Sequence, residues 1–166
     1  MAKAKSGSFY IRRTVDCSAN TPNVVALDTS AYVDPADRQG LMIESVDFVF
    51  YNSGDNLPLT GSGDERTAVQ LLTGTYSDMQ PYDNEDIVAS AGLITDGAAG
   101  SYNAVDLYPD LLGTNDGRIV VDDQMSIIGE SASTFTAARC ALVIKAKVVT
   151  LTNKDYMALA LQTVAN

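Results

Sequence analysis

The side chains best suited to chemistry in this sequence are carboxylates, which gather in three short clusters. They are Asp83-Asn84-Glu85-Asp86, Gly63-Asp64-Glu65 and Asp122-Asp123. Clustered carboxylates can bind Ca²⁺, and a pair at a suitable separation can hydrolyse a glycosidic bond. An EF-hand loop needs acids or Asn at alternate positions, then a glycine and a distant glutamate, and no cluster has this spacing. We therefore interpret the clusters as surface turns, with a loose Ca²⁺ or Na⁺ site as the alternative.

The sequence contains no histidine and no tryptophan. The lack of histidine excludes Ser-His-Asp and Cys-His nucleophilic sites, His-containing zinc sites and acid–base catalysis by imidazole. Glycosidases usually line the sugar cleft with aromatic side chains, whereas the four Phe residues here fall largely on core-facing positions. Gly61-Ser62-Gly63 lacks the lysine and the following helix of a phosphate-binding loop. We therefore predict a protein that is not an enzyme and has no catalytic, cofactor-binding or metal-binding residues.

Charge is distributed unevenly along the 166 residues, which carry 11 Lys and Arg, 21 Asp and Glu and a net charge of -10. Residues 1–13 hold four bases and no acid, and residues 139–166 hold four bases and one acid. The first four bases are Lys3, Lys5, Arg12 and Arg13. Residues 14–138 hold three bases and 20 acids, a local charge of -17, which disfavours specific nucleic-acid recognition. We expect the two signs to lie on different surfaces, through which copies of the chain meet.

Aspartate outnumbers glutamate by 17 to 4, mostly in segments rich in Gly, Asn and Ser. Turn chemistry explains this bias, because Asp caps turns and tolerates left-handed backbone whereas Glu favours helices. A high-salt habitat explains it as well, because dense carboxylates with few lysines keep a protein soluble there. Both explanations remain open.

Apolar and polar residues alternate along most of the chain, which is typical of β-strands. The pattern predicts strands at residues 9–15, 23–28, 41–51, 66–73, 102–108, 118–122, 124–129 and 135–150. Residues 86–95 are rich in Ala and Ser, so strand and short helix both remain open there. We expect the segments at 118–122 and 124–129 to pair as a hairpin. Strands at this spacing, separated by turns, predict one all-β domain over residues 1–166, a single jelly-roll or β-sandwich barrel of about eight strands.

Two of these strands indicate which side chains face the core. In the strand at 41–51, Val46, Phe48 and Phe50 share one face. In the strand at 135–150, the outward positions are Arg139, Lys145 and Lys147, and the inward ones are Cys140, Leu142, Ile144, Ala146 and Val148. Cys140 is therefore expected to be a buried, reduced thiol, and nothing local links it to Cys17.

Both ends of the chain have the character of arms. Residues 1–8 form a basic N-terminal arm that suits contact with nucleic acid, an anionic membrane or another subunit, with a solvated terminus as the alternative. No apolar segment follows its lysines, and no stretch of about 18 apolar residues occurs, so we predict neither a secretory signal nor a transmembrane span.

Residues 153–166 have the composition of a short C-terminal helical arm. Thr152 and Asp155 resemble a capping box with Asp in place of Glu or Gln. An apolar stripe follows at helical spacing and comprises Met157, Ala160, Leu161 and Val164. Packing of the helix on its own domain and docking onto a neighbouring subunit both remain open.

These features together resemble the small single-jelly-roll major capsid proteins of tailless icosahedral viruses. Within them, the chain is most similar to the sphaerolipovirus-like group that infects halophilic archaea and thermophilic bacteria. The resemblance lies in the length, the basic start MAKAKSGSFYIRR, the core strands LMIESVDFVFY and RCALVIKAKVV, and the acidic surface. It implies an upright eight-stranded barrel, capsomers of several copies, a second capsid protein and often an internal membrane. The arm at residues 1–8 would contact that membrane or the genome, and no functional residues carry over.

We therefore expect a structural virion protein, made in the host cytoplasm: a major capsid subunit that self-assembles into an icosahedral shell. A decoration or tail-associated virion protein is a second form of the same hypothesis. The alternative is a carbohydrate- or calcium-binding β-sandwich module. The acidic loops favour that alternative, as do five tyrosines in or beside them: Tyr51, Tyr76, Tyr82, Tyr102 and Tyr108.

Overall fold

The fold consists of two antiparallel β-sheets that enclose one hydrophobic core, followed by a C-terminal helix. A computed structural model describes residues 2–59, 63–95, 102–107, 117–132 and 137–164. The elements in these residues are β1 (Lys3–Ala4), β2 (Phe9–Cys17), β3 (Asn23–Asp28), β4 (Gln39–Asn52), β5 (Glu65–Thr73), β6 (Ile87–Thr95), β7 (Tyr102–Leu107), β8 (Arg118–Val120), β9 (Gln124–Ser131), β10 (Ala138–Thr150) and α1 (Asn153–Val164).

The order of the strands within the sheets defines a jelly roll. The first sheet has the order β2-β10-β4-β8, with β1 beside β2 along the same edge of β10. The second sheet has the order β3-β9-β5-β6, with β7 as an additional strand beyond β6. The chain crosses between the sheets from β2 to β3, β3 to β4, β4 to β5, β7 to β8, β8 to β9 and β9 to β10, an order typical of the double Greek key. The predicted all-β, jelly-roll fold class is confirmed.

Residues 86–95, for which strand and helix were both open, form strand β6. It pairs with β5 along most of its length on one side, and residues 90–95 pair with β7 on the other. Its Ala and Ser side chains are buried, and Ala89, Ser90 and Ala91 are each at most 2% exposed. Pairing on both sides therefore overrides the weak local preference.

The predicted hairpin between 118–122 and 124–129 is wrong. β8 pairs with β4 in the first sheet, whereas β9 pairs with β3 and β5 in the second. Val120 and Met125 are both buried in the same core, but they reach it from opposite sheets. Turn-forming residues indicate that the chain reverses direction. The same residues occur whether the chain returns within one sheet or crosses to the other, so the sequence did not distinguish the two.

The core lies between the inner faces of the two sheets. As predicted, Cys140, Leu142, Ile144 and Ala146 of β10 are fully buried. Val46 is also buried, and Phe48 and Phe50 pack against the core from the same face of β4. Full burial of one such aliphatic side chain contributes about 1.5–3 kcal/mol to folding. The alternation in the sequence therefore identified the inner face of the central strands.

Val148 was predicted to face inward, and it pairs with the buried Leu41 on that face, but its own side chain is only half-buried. Lys145 pairs with Ser45 and Ala146 with Ile43, so Glu44 of β4 is an extra residue between them, a β-bulge. Beyond the bulge the alternation of burial along β10 is interrupted, because Val149 is buried whereas Val148 is half-buried. A one-residue irregularity in the partner strand is not visible in the pattern of β10 itself.

The two cysteines lie on neighbouring strands and face the core. Cys140 pairs with Val15, and Cys17 with Ala138, which places the cysteines two residues apart in register. Both are buried and free, as expected for Cys140. Burial raises the pKa of Cys17 to about 11. Burial and the neighbouring Cys17 also raise the pKa of Cys140, so both thiols remain protonated at neutral pH.

We predict that neither thiol of the folded protein reacts with Ellman's reagent at pH 8 within about an hour, because the thiolate is the reactive form. In 6 M guanidinium, chosen to unfold the chain fully, both thiols should react within minutes. The released thionitrobenzoate measures each reaction by its absorbance. Fast reaction of the native protein would contradict the burial of these residues.

Candidate functional site

Basic side chains concentrate on the β1/β2/β10 side of the first sheet. Six of the 11 bases lie on these strands, namely Lys3, Arg12, Arg13, Arg139, Lys145 and Lys147. Arg139, Lys145 and Lys147 alternate with buried residues of β10 and therefore lie together on the outer face, as predicted. The strands of this sheet carry three acids, Asp16, Glu44 and Asp47. The register places Arg12 on the outer face with Arg139, Lys145 and Lys147, and we call this outer face, where four bases meet the three acids, the basic face.

Two of the acids on the basic face are held in ion pairs. Glu44, at the bulge, accepts from Lys147 Nζ at 2.9 Å and from Ser8 Oγ at 2.7 Å. These hydrogen bonds lower the pKa of the Glu44 carboxyl. Asp16 pairs with Arg139 in the same way. Because such surface pairs each contribute at most about 1 kcal/mol, they fix side-chain positions more than they stabilise the fold.

The N-terminal arm lies along β10 of its own domain. Lys3 pairs with Thr150 in β1, and the backbone N–H of Lys5 donates to Val148 O at 2.8 Å. The ammonium group of Lys5 contacts the side chains of Gln39 and Asp37 at 2.6 and 3.4 Å. The described part of the arm therefore continues the basic face at the end of the sheet where α1 begins.

Two of the three acidic clusters meet around a single arginine. Arg118, at the start of β8, donates to the backbone oxygen of Glu85, and its guanidinium interacts with the carboxylates of Asp86 and Glu85. Burial nevertheless lowers the pKa of Arg118. Burial and the nearby carboxylates of Asp86 and Asp123 raise the pKa of Asp122. The sequence did not reveal this site, because Arg118 is far along the chain from residues 83–86.

Asp86 is the most enclosed carboxylate of this cluster. It accepts hydrogen bonds from Thr73 Oγ1 at 3.3 Å and from the hydroxyl of Tyr76. The third cluster lies elsewhere, with Glu65 buried at the start of β5 and Gly63 O accepting from Thr95 Oγ1 at 2.9 Å. Among the described residues, no group of three or more His, Cys, Asp or Glu side chains is arranged to hold a metal ion. Gly61 and Ser62 lie outside the described residues.

The tyrosines considered for ligand binding do not share one surface. Tyr51 lies at the end of β4 in the first sheet, whereas Tyr76 and Tyr82 lie in the loop between β5 and β6 over the second sheet. Of these, Tyr82 is the most open, with 58% of its surface exposed. Only the backbone of Tyr102 is described, in β7, and Tyr108 lies outside the described residues.

The helix forms where predicted, and its predicted N-terminal cap is present. The backbone N–H of Asp155 donates to Thr152 Oγ1 at 3.2 Å. Leu159 lines a small cavity beside Thr73 and Val120, which places one side of α1 against its own domain. Met157 and Leu161 of the predicted stripe are 57% and 63% exposed. The helix therefore rests on its own domain through another side, and part of the stripe faces outward.

A groove of about 780 Å³ crosses the outer face of the second sheet. Its floor is low because Ala68 of β5 and Gly92 of β6 lie directly opposite each other. Met79 and Tyr82 from the β5–β6 loop line the groove together with Ile94 of β6, and its lining is mainly apolar. Its polar residues include Arg66, Glu130 and Ser131, and the Ser131 hydroxyl is buried with no hydrogen-bond partner among the described residues.

The pairing order places the chain among jelly-roll β-sandwiches, a class that includes viral capsid, lectin and cupin domains. Solved structures similar to it over 87% of its length include Desmodium yellow mottle tymovirus, at 8% identity over 86% of that chain with a TM-score of 0.37. They also include Cocksfoot mottle virus, at 12% identity over 95% with a TM-score of 0.38, and turnip yellow mosaic virus, at 11% over 93% with a TM-score of 0.37. No family model and no curated protein matches the chain. The fold assignment rests on the strand order, because structural similarity with such low TM-scores and identities is too weak to support an assignment.

Within the described ranges, no helix is long and apolar enough to cross a membrane. The longest helical segment, α1, has 12 residues, whereas about 20 apolar residues are needed to span the hydrocarbon core.

Proposed function

We propose that this chain is a structural virion protein, the major capsid subunit of an icosahedral shell. The observation that carries the proposal is the order β2-β10-β4-β8 facing β3-β9-β5-β6, because capsid domains are one of the main uses of this topology. The protein would be made in the host cytoplasm and reside in the virion. We expect it to resemble the sphaerolipovirus-like capsid proteins, with a second capsid protein in the shell.

The separation of charge supports assembly from copies of the chain. The basic face lies on the first sheet, whereas most carboxylates lie in the loops and around Arg118. A basic surface of one copy can meet an acidic surface of the next, and such a head-to-tail contact closes into rings when the rotation allows. The remaining positive charge near residues 1–8 suits an anionic membrane surface or the genome.

Sedimentation velocity and negative-stain microscopy of the purified protein, in low and in molar salt, test this proposal. We expect defined oligomers or shells whose fraction grows with concentration in at least one of the two conditions. A monomer at about 100 µM in both conditions would contradict the proposal. Heat from binding of Ca²⁺ or a glycan by such a monomer would favour the ligand-binding module instead.

A matched pair of charge variants tests the role of the basic face. Arg12 and Asp47 are both exposed and lie on opposite sides of Val143 in the same row of the first sheet. Arg12→Glu should raise the concentration needed for assembly, because it removes positive charge from the face. Asp47→Lys should leave that concentration unchanged or lower it. Equal effects of the two variants would exclude the basic face as a contact surface.

A further inference from the structure

The outward side of α1 combines one cation with an apolar strip. Lys154, Met157 and Leu161 are spaced three and four residues apart, so they share one side of the helix, and all three are exposed. Neighbouring apolar side chains that form one exposed patch can mark a contact with another molecule. The groove on the second sheet is the complementary feature, because it is concave and mainly apolar and has an acid, Glu130, in its lining.

We propose that this side of α1 docks into the groove of a second copy of the chain. The inference rests on the proposed assembly of copies and names one of its contacts. Met157 and Leu161 fill the space above Ala68 and Gly92, where the floor of the groove has no large side chain. Helices with an apolar strip bind grooves in this manner in many protein complexes.

Charge sets the direction of the docked helix. Neither Lys154 nor Glu130 forms a salt bridge within the part of the chain that the structure describes. Lys154 precedes the apolar strip by one turn, so it comes to the edge of the groove when the strip is inside. There it meets the Glu130 carboxylate, and this pairing fixes which end of the helix lies at which end of the groove.

The groove is not filled by the helix of the same copy. The exposure of Met157 and Leu161 shows that they lie outside it. Leu159 packs beside Thr73, which is about 17 Å from Ala68 along β5 at about 3.4 Å per residue. Helix and groove are therefore different surfaces of one molecule, and the contact between copies is heterologous, which extends into chains or closes into rings.

Two interface variants and one control test the docking. The helix variant is Met157→Asp with Leu161→Asp, and the groove variant is Ile94→Asp, at a position 44% exposed. Each should raise the concentration for half-maximal association by about tenfold or more, because a carboxylate would enter an apolar groove. The matched control is Leu57→Asp, since Leu57 is 60% exposed and lies outside the groove. Circular dichroism of each variant should match the parent.

A mixture of the two interface variants tests the docking more directly than either variant alone. The helix variant keeps an intact groove and the groove variant keeps an intact helix, so an equimolar mixture should form a 1:1 dimer by sedimentation velocity. Either variant alone should remain monomeric at that concentration. Failure of the mixture to pair, while the parent chain assembles, would overturn the docking and leave the proposed function in place. A parent chain that never associates would instead overturn both.

A charge exchange tests the direction of docking. Lys154→Glu and Glu130→Lys should each weaken association, and the double variant should restore it, because the pair re-forms between copies with its signs reversed. Weakening that persists in the double variant would overturn the pairing of these residues. A glycan that binds the monomer and is lost on Tyr82→Ala would show that the groove has a different occupant, which overturns the proposal.

Discussion

Leu142→Ala should lower the free energy of unfolding by about 3–5 kcal/mol, the range found when a buried leucine is replaced by alanine. Leu142 lies near the middle of β10, between Arg13 of β2 and Phe48 of β4, and is fully buried. Its side chain points at the second sheet, so truncation leaves a cavity between the sheets. The loss has two parts, the lost burial of the removed methyl groups and the unfilled cavity.

Urea denaturation followed by circular dichroism measures this change. The control is Val49→Ala on the neighbouring strand β4, where Val49 is 54% exposed on the opposite face of the same sheet. The control should change the free energy of unfolding by less than about 0.5 kcal/mol. A loss below about 1 kcal/mol for Leu142→Ala would mean that β10 does not face the second sheet through this residue.

The sequence pattern identified the strands and their inner faces because alternation reports burial directly. Where one face of a strand is buried, as for Cys140 to Ala146, the period of two is visible in the sequence alone. Where a strand is buried on both faces, as β6 is, the period is absent and small residues leave the element type open. The pattern therefore predicts fold class well and fails where burial is two-sided.

Interactions between distant parts of the chain were not predictable from the sequence. The bulge at Glu44 of β4 and the half-burial of Val148 on β10 left no sign in the alternation of β10. Likewise, the meeting of residues 83–86 with Asp122 depends on Arg118 and on the crossing from β8 to β9. These features arise from strand pairing, which a single sequence does not encode as a local pattern.

The contacts of α1 were not predictable from the sequence either. Helical spacing correctly predicted the stripe that contains Met157 and Leu161, but spacing does not say what the stripe contacts. Tyr156 and Leu159 lie on the other sides of the helix and are half-buried. The domain therefore holds α1 through a weaker apolar side and leaves the stronger one open, which is the arrangement expected for a contact between subunits.

Gly117→Ala should lower the free energy of unfolding about as much as Leu142→Ala does, by about 3 kcal/mol or more. Gly117 has φ +104, a left-handed conformation that side chains with a Cβ rarely adopt. A Cβ at this position would also overlap the carbonyl oxygen of Ile43 and lie 2.8 Å from its carbon. Both obstacles are backbone atoms or backbone angles, so no side-chain rotation relieves them.

Gly74→Ala separates the cost of the left-handed backbone from the cost of the overlap with Ile43. Gly74 also has a positive φ, +78, but a Cβ there would have no neighbour within 4 Å. We expect it to lose only about 1 kcal/mol, the cost of the left-handed conformation alone. Urea denaturation of both variants gives the difference, which measures the overlap with Ile43. Because Ile43 pairs with Arg118, this overlap would push β8 away from β4 and draw Arg118 out of the acidic cluster. Equal losses for the two glycines would show that the backbone of Gly117 does not approach Ile43 closely.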